Sequence, residues 1–174
     1  MKKILFLLLF VLLLTFSAIA QNKPKPQENY NLIKEGKGMS GITVGVSTMD
    51  DVVEKFGKEY KWIVNKKYSY QMNYYRLGVA FYICQSDKKK QVFVIEMKSP
   101  YKAKTSKGII MGKSTVEDVE KKYGKLKSGL EYRGISFYYN KVDGKKVVTE
   151  IDVTESAGIR QCKEAKPILP KPKN

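Results

Sequence analysis

The chain has 174 residues, with 33 Lys and Arg against 17 Asp and Glu, no His and two Cys. That length holds one domain or two very small ones, and a hydrophobic fraction of 43% with 12 Tyr suits a packed core, which excludes wholesale disorder. The lack of His removes the commonest general base and metal ligand, and two Cys alone do not make a zinc site, so neither a cofactor nor a metal is expected.

Met1-Lys2-Lys3 is a short positive stretch, and Ile4 to Leu14 is an unbroken apolar run. Ala18-Ile19-Ala20 then supplies the small-x-small pattern of a signal-peptidase site, so residues 1–20 read as a cleaved signal peptide. The apolar stretch through Ala20 contains Thr15 and Ser17 and falls short of the ~20 residues that a spanning helix needs. No stable transmembrane span is expected after cleavage. No Cys follows the small residues, which argues against lipidation. Removing Lys2 and Lys3 with the leader lowers the formal charge from +16 to +14. An exported protein, periplasmic or extracellular, is the expectation. Residues 21–40, with Lys-Pro-Lys-Pro, read as an extended N-terminal arm.

From Gly41 onward the chain repeats itself. GITVGVSTMDDVVEKFGK (Gly41 to Lys58) and GIIMGKSTVEDVEKKYGK (Gly108 to Lys125) agree at ten of eighteen positions. Further on, LGVAFYI (Leu77 to Ile83) lies over RGISFYY (Arg133 to Tyr139), and Ile95 and Met97 lie over Ile151 and Val153. The first copy carries 11 extra residues between its helix and this second block. Each copy opens on a short helix, with Ser47 or Ser114 as N-cap, Asp50 or Glu117 three residues on, and Gly57 or Gly124 at the C-terminal cap. Met49, Val52, Val53 and Phe56 line one face of the first helix, and Val116, Val119 and Tyr123 match them in the second. The strands Val79 to Cys84 and Val92 to Met97 alternate apolar and polar, as do Ile135 to Asn140 and Val147 to Val153. Another strand, Tyr60 to Val64 or Ser69 to Tyr75, uses the insertion. The expected fold class is therefore α+β: two tandem repeats (41–97 and 108–153), each a short capped helix followed by an antiparallel β-meander. Residues 98–107 link them, and 154–174 form a C-terminal segment with a Lys/Pro-rich tail.

The quoted helix and meander motifs resemble the α/β module of the β-lactamase inhibitory protein family, itself a tandem repeat. They are also similar to the single module of SmpA/OmlA-type lipoproteins of outer-membrane assembly. The resemblance covers Gly41 to Val153 and rests on caps and turns. It implies a secreted or envelope binding protein without catalysis of its own, and it transfers no functional residue.

Two apparent motifs lose their meaning against the repeat. Gly108 to Ser114 falls one residue short of a phosphate-binding P-loop, and Val46 replaces Lys113 in the other copy, so no nucleotide is expected. Gly45-Val46-Ser47 lacks the Gly at position 49 that a nucleophile elbow requires. Asp50, Asp51, Glu117 and Asp118 fit the positive end of a helix better than an acid–base or calcium site.

Candidate binding residues gather in the insertion, where Trp62, Tyr68, Tyr70, Tyr74 and Tyr75 mix with Lys61, Lys66, Lys67 and Arg76. Aromatic faces beside cations suit protein interfaces, although aromatic residues also form strands well. Lys88, Lys89 and Lys90 occupy a hairpin turn, as do Lys145 and Lys146, and the summed charge favours acidic partners. A protein or an acidic envelope component is the expected partner, and the signal peptide disfavours nucleic acid. Cys84 and Cys162, in an exported chain, are expected to form a disulfide closing a loop of about 79 residues.

Overall fold

The computed structural model describes residues 28–65, 68–158 and 160–164. The expected signal peptide, the Lys-Pro-Lys-Pro stretch, Lys66, Lys67 and the tail from Lys166 lie outside the described residues. Among the described residues, no helix is long and apolar enough to cross a membrane.

The chain runs β1 (Asn31–Lys34), β2 (Gly38–Met39), β3 (Ile42–Thr43), α1 (Met49–Phe56), β4 (Lys61–Asn65), β5 (Ser69–Tyr74), β6 (Val79–Cys84), β7 (Val92–Lys98) and β8 (Ala103–Thr105). It continues with α2 (Val116–Tyr123), β9 (Glu131–Tyr132), β10 (Ile135–Val142) and β11 (Lys145–Thr154). Seven strands form one antiparallel sheet in the order β4-β5-β6-β7-β11-β10-β9. Four short strands form a second, β3-β2-β1-β8, in which β1 and β8 run parallel. The fold is α+β with mostly antiparallel sheets.

Period-two alternation decides which side chains enter the core. On the large sheet Val79, Phe81, Ile83, Ile95, Met97, Ile135, Phe137, Ile151 and Val153 are buried together with Val52 of α1 and Val119 of α2. Ile33, Met39, Ile42 and Ala103 of the small sheet join the same cluster. Phe56 packs on Phe81 at 5.0 Å between ring centres, and Tyr123 packs on Phe137 at 5.0 Å. Two eight-residue helices are too short to hold without such contacts. The β10–β11 hairpin closes through Asp143-Gly144, both at positive φ (49° and 76°), a turn whose twist matches the strands it joins.

The helix caps fall one residue later than Ser47 and Ser114. Thr48 and Thr115 are the N-caps, each in a capping box with Asp51 or Asp118. The Asp51 carboxylate accepts from the Thr48 N–H at 2.7 Å, and Asp118 accepts from the Thr115 N–H at 2.8 Å. The serines are used in the preceding turn: Ser47 Oγ accepts from the Thr43 N–H and Ser114 Oγ from the Ile110 N–H, both at 3.0 Å. A serine engaged backwards is not available to cap forwards.

The segment expected as a solvated arm also contributes to the core. Ile33 is fully buried, and its strand lies beside β8, which forms within the expected linker. Gly36 and Gly134 meet backbone to backbone: the Gly36 N–H donates to the Gly134 carbonyl at 2.9 Å, and a Cβ on Gly134 would fall 2.5 Å from the Gly36 Cα. The segment before α1 thus packs against the turn between β9 and β10.

The regions around the two helices share their hydrogen-bond geometry. The Gly45 N–H donates to the Val92 carbonyl and the Gly112 N–H to the Val148 carbonyl, both at 2.7 Å. Val92 donates back to Ser47 at 2.8 Å and Val148 to Ser114 at 2.9 Å. The Tyr74 hydroxyl donates to the Gly57 carbonyl at 2.8 Å, and the Tyr132 hydroxyl to the Gly124 carbonyl at 2.7 Å.

Candidate functional site

The aromatic residues of the insertion do not form one surface. Tyr70 and Tyr74 are 1% and 2% exposed, because alternation along β5 turns them with Met72 toward the core. Trp62 is half-buried and packs against the same core. Its ring lies 5.2 Å from Tyr60 and 5.7 Å from Tyr70, and Tyr60 lies 5.5 Å from Tyr74. This network packs the first half of the sheet and leaves Tyr70 and Tyr74 buried, with Trp62 half-buried beside them. Tyr68 and Tyr75 are exposed, but they flank β5 at opposite ends, about 23 Å apart at extended-strand rise. The Tyr68 hydroxyl donates to Glu164 at 3.0 Å, and Lys61 Nζ lies 5.6 Å from the centre of the Tyr75 ring.

The lysine turn divides likewise. Lys88 and Lys89 are exposed. Lys90 is half-buried: its Nζ donates to the Gln85 carbonyl at 3.1 Å and lies 5.6 Å from the Tyr70 ring centre. Lys113, the cation of the apparent P-loop, pairs with Glu28 at 2.7 Å.

Cys84 and Cys162 form a disulfide, with their Cα atoms 5.3 Å apart. It holds the C-terminal segment against the end of β6. Arg160 adds to this by pairing with Asp87 at 3.3 Å and with Glu155 at 2.9 Å.

On the sheet face opposite the helices, the seam between β7 and β11 gathers charge. Glu96 and Asp152 stand directly opposite each other across the two strands. Glu150 joins them, and one carboxylate oxygen of each of the three lies within 4.8 Å of the others. Lys98 Nζ reaches Glu96 at 2.8 Å and Glu150 at 3.2 Å, so an ammonium already stands where a cation would be drawn. The Tyr82 hydroxyl donates to Glu96 at 2.7 Å. Asp152 keeps one carboxylate oxygen, Oδ1, buried and without a hydrogen-bond partner. Burial first, then the charges of Glu150 and Glu96, push the Asp152 carboxyl up to about 8 despite Lys98. Burial also raises Glu150, against the pull of Lys98, and burial with the bond to Glu96 pushes the Tyr82 hydroxyl well above its usual range. Lys98 thus bridges Glu96 and Glu150, while burial and these two neighbours favour the protonated form of Asp152. Sequence reasoning missed this cluster. The available signal was the 56-residue spacing that links Glu96 to Asp152 and Tyr82 to Tyr138.

A second surface is the β10–β11 hairpin, of which the sequence marked Lys145 and Lys146 but not the apolar side chains beside them. Tyr138, Tyr139 and Val142 are exposed on β10, with Lys141, Lys145 and Lys146 around them. Lys146 Nζ lies 5.4 Å from the centre of the Tyr139 ring. Neither a family model, nor a curated protein, nor a solved structure matches the chain.

Proposed function

We propose that this chain is an exported, non-enzymatic binding protein built from two copies of one α+β unit. It recognises a protein or acidic partner through an aromatic and lysine-rich sheet surface. The observation that carries this reading is the β10–β11 hairpin, where exposed tyrosines and an exposed valine stand among three lysines at the edge of the large sheet. Exposed apolar side chains grouped with cations favour an interface over plain solvation. Export is supported by the apolar leader and by the disulfide, a bond that persists in oxidising compartments. The two-copy reading is supported by the matched sequence blocks and by the matched hydrogen bonds at Gly45 and Gly112. The resemblance to the β-lactamase inhibitory protein family agrees with a binding role.

The test is affinity capture from envelope and extracellular fractions, using the mature chain as bait and washing at low and then high salt. A stoichiometric protein complex that survives high salt supports the proposal. Retention only of anionic lipid or wall polymer, lost in high salt, would instead support a charge-held envelope assembly or surface-associated factor, which the net positive charge also suits.

A further inference from the structure

Strand β6 and strand β10 occupy corresponding places in the large sheet, each with a long antiparallel neighbour on one side, β7 or β11. Their other edges differ. β5 covers β6 along its whole length, from Tyr74 opposite Val79 to Ser69 opposite Cys84. β9 covers β10 only at Ile135 and Ser136, after which the Phe137 N–H donates to the Leu130 carbonyl at 3.0 Å. Among the described residues, no strand pairs with this edge of β10 from Tyr138 to Val142.

Because the Phe137 N–H points away from β11, strand alternation points the N–H and C=O of Tyr139 and Lys141 the same way. These groups form a row of unpaired backbone donors and acceptors on an exposed edge. Side chains around them bear on what fits. Tyr138, Asn140 and Val142 alternate with Tyr139 and Lys141, offering aromatic and apolar contacts toward both faces of an added strand. Lys141, Lys145 and Lys146 lie at the hairpin end, where Lys146 approaches the Tyr139 ring and Asp143 is in the turn. Asp152, Glu131 and Glu150 act on Tyr138 at the other end of the stretch. A second copy of this edge would bring its own lysines against these, whereas an acidic strand would be drawn to them.

We infer that the open edge of β10, from Tyr138 to Val142, binds an extended acidic segment of a partner protein by strand addition, continuing the line of β9 as β5 does beside β6. The inference deepens the proposed binding function and rests on it. Main-chain bonds at Tyr139 and Lys141 would supply attachment, and the lysines and tyrosines would select sequence.

The test uses the full mature chain and a synthetic peptide alternating glutamate and valine, with a lysine–valine peptide as the charge control. Amide hydrogen exchange is followed residue by residue. The glutamate peptide should slow exchange at Tyr139 and Lys141 by about tenfold or more, leaving the β5–β6 amides unchanged. Lys141→Pro, which removes one outward N–H at an exposed edge, should abolish the protection, and Lys141→Ala should retain it. If the proline variant fails to fold, the triple change Lys141→Glu, Lys145→Glu and Lys146→Glu serves instead, and it should transfer the preference to the lysine peptide. The inference is overturned by unchanged exchange at Tyr139 and Lys141, by equal protection from both peptides, or by protection that grows with protein concentration alone, which would mean a second copy on the edge. A partner captured equally well by wild type and Lys141→Pro would overturn the inference and leave the proposed function standing.

Discussion

Ile83 and Tyr139 stand 56 residues apart, at matching places on β6 and β10, yet Ile83 is fully buried while Tyr139 is 42% exposed. The helix, the cap and the central Phe are alike in the two regions, and what differs is the strand alongside. In the first, β4 and β5 lie alongside β6, and their aromatic side chains pack on the core. In the second, β9 stops after two residues and the hairpin end stands open. Two similar local sequences thus end with opposite surfaces, because burial depends on the neighbouring strand as much as on the strand itself. A pair of truncations tests this difference. Ile83→Ala should cost about 2–5 kcal/mol, as large-to-small changes in a packed core do. Tyr139→Ala should stay within about 0.5 kcal/mol, as exposed positions do. Urea unfolding of both variants measures the difference, and equal losses would mean that the hairpin end is covered in solution.

The disulfide sharpens the same contrast. Cys84 ends β6, and the matching position on β10 is Asn140, so the C-terminal segment is bonded to the first region and not to the second. Closing a loop of about 79 residues is worth at most ~4 kcal/mol on chain-entropy grounds. Cys84→Ser with Cys162→Ser should therefore lower the unfolding free energy by up to that amount, and reductant should do the same to the parent chain. Reductant without effect on the urea midpoint would remove the bond from the stability of the protein.

Much of this architecture was legible in the sequence, and the parts that were not share a cause. Strands β6, β7, β10 and β11 and both helices follow from local periodicity, which needs no knowledge of distant partners. Strands β1 and β8 escaped because Asn31–Lys34 and Ala103–Thr105 are too short to carry a pattern and are fixed by pairing with each other across some seventy residues. The cap shifted by one residue because Ser47 and Thr48 are both good caps, and the turn before the helix claims the serine. Tyr70 and Tyr74 lie in the core for a different reason. In SYQMNY the alternation sets Tyr70, Met72 and Tyr74 on one face, so a high density of aromatic residues does not by itself make a surface. Pairing between distant strands is the least local feature of all, so nothing in β7 or β11 by itself announces that the two strands meet.

At that meeting the two regions bring like charges together, and pH tests how the seam holds. The Asp152 carboxyl is raised from its ordinary 3.8 to about 8 by burial and by Glu150 and Glu96. A raised carboxyl means that its proton binds the folded state more tightly than the unfolded chain. Its stabilisation is full below its unfolded value, declines as pH rises, and is lost once pH passes the folded value near 8. Glu150 is raised as well and acts in the same direction. The melting temperature should therefore fall as pH is taken from about 5 to 9, and Asp152→Asn should flatten that slope. A slope unchanged by Asp152→Asn would place the titration elsewhere.

The smallest effects should be the most alike. Thr48 and Thr115 cap helices of equal length, each with an aspartate returning the bond: Asp51 N–H reaches the Thr48 Oγ1 at 3.4 Å, and Asp118 N–H reaches the Thr115 Oγ1 at 3.3 Å. Losing a threonine cap costs about 1 kcal/mol, so Thr48→Ala and Thr115→Ala should each lower stability by that amount and match one another. Both boxes are exposed, which removes differences in burial from the comparison. Ser47→Ala and Ser114→Ala should act separately, because each serine bonds to the turn behind it, at Thr43 and Ile110, rather than to the helix ahead. The two hydroxyls share no hydrogen-bond partner, so each double variant should lose more than either single one, although adjacent residues need not be strictly additive. A double variant at Ser47 and Thr48 no worse than either single one would mean that turn and cap form one unit, and the same measurement at Ser114 and Thr115 tells whether both regions behave alike.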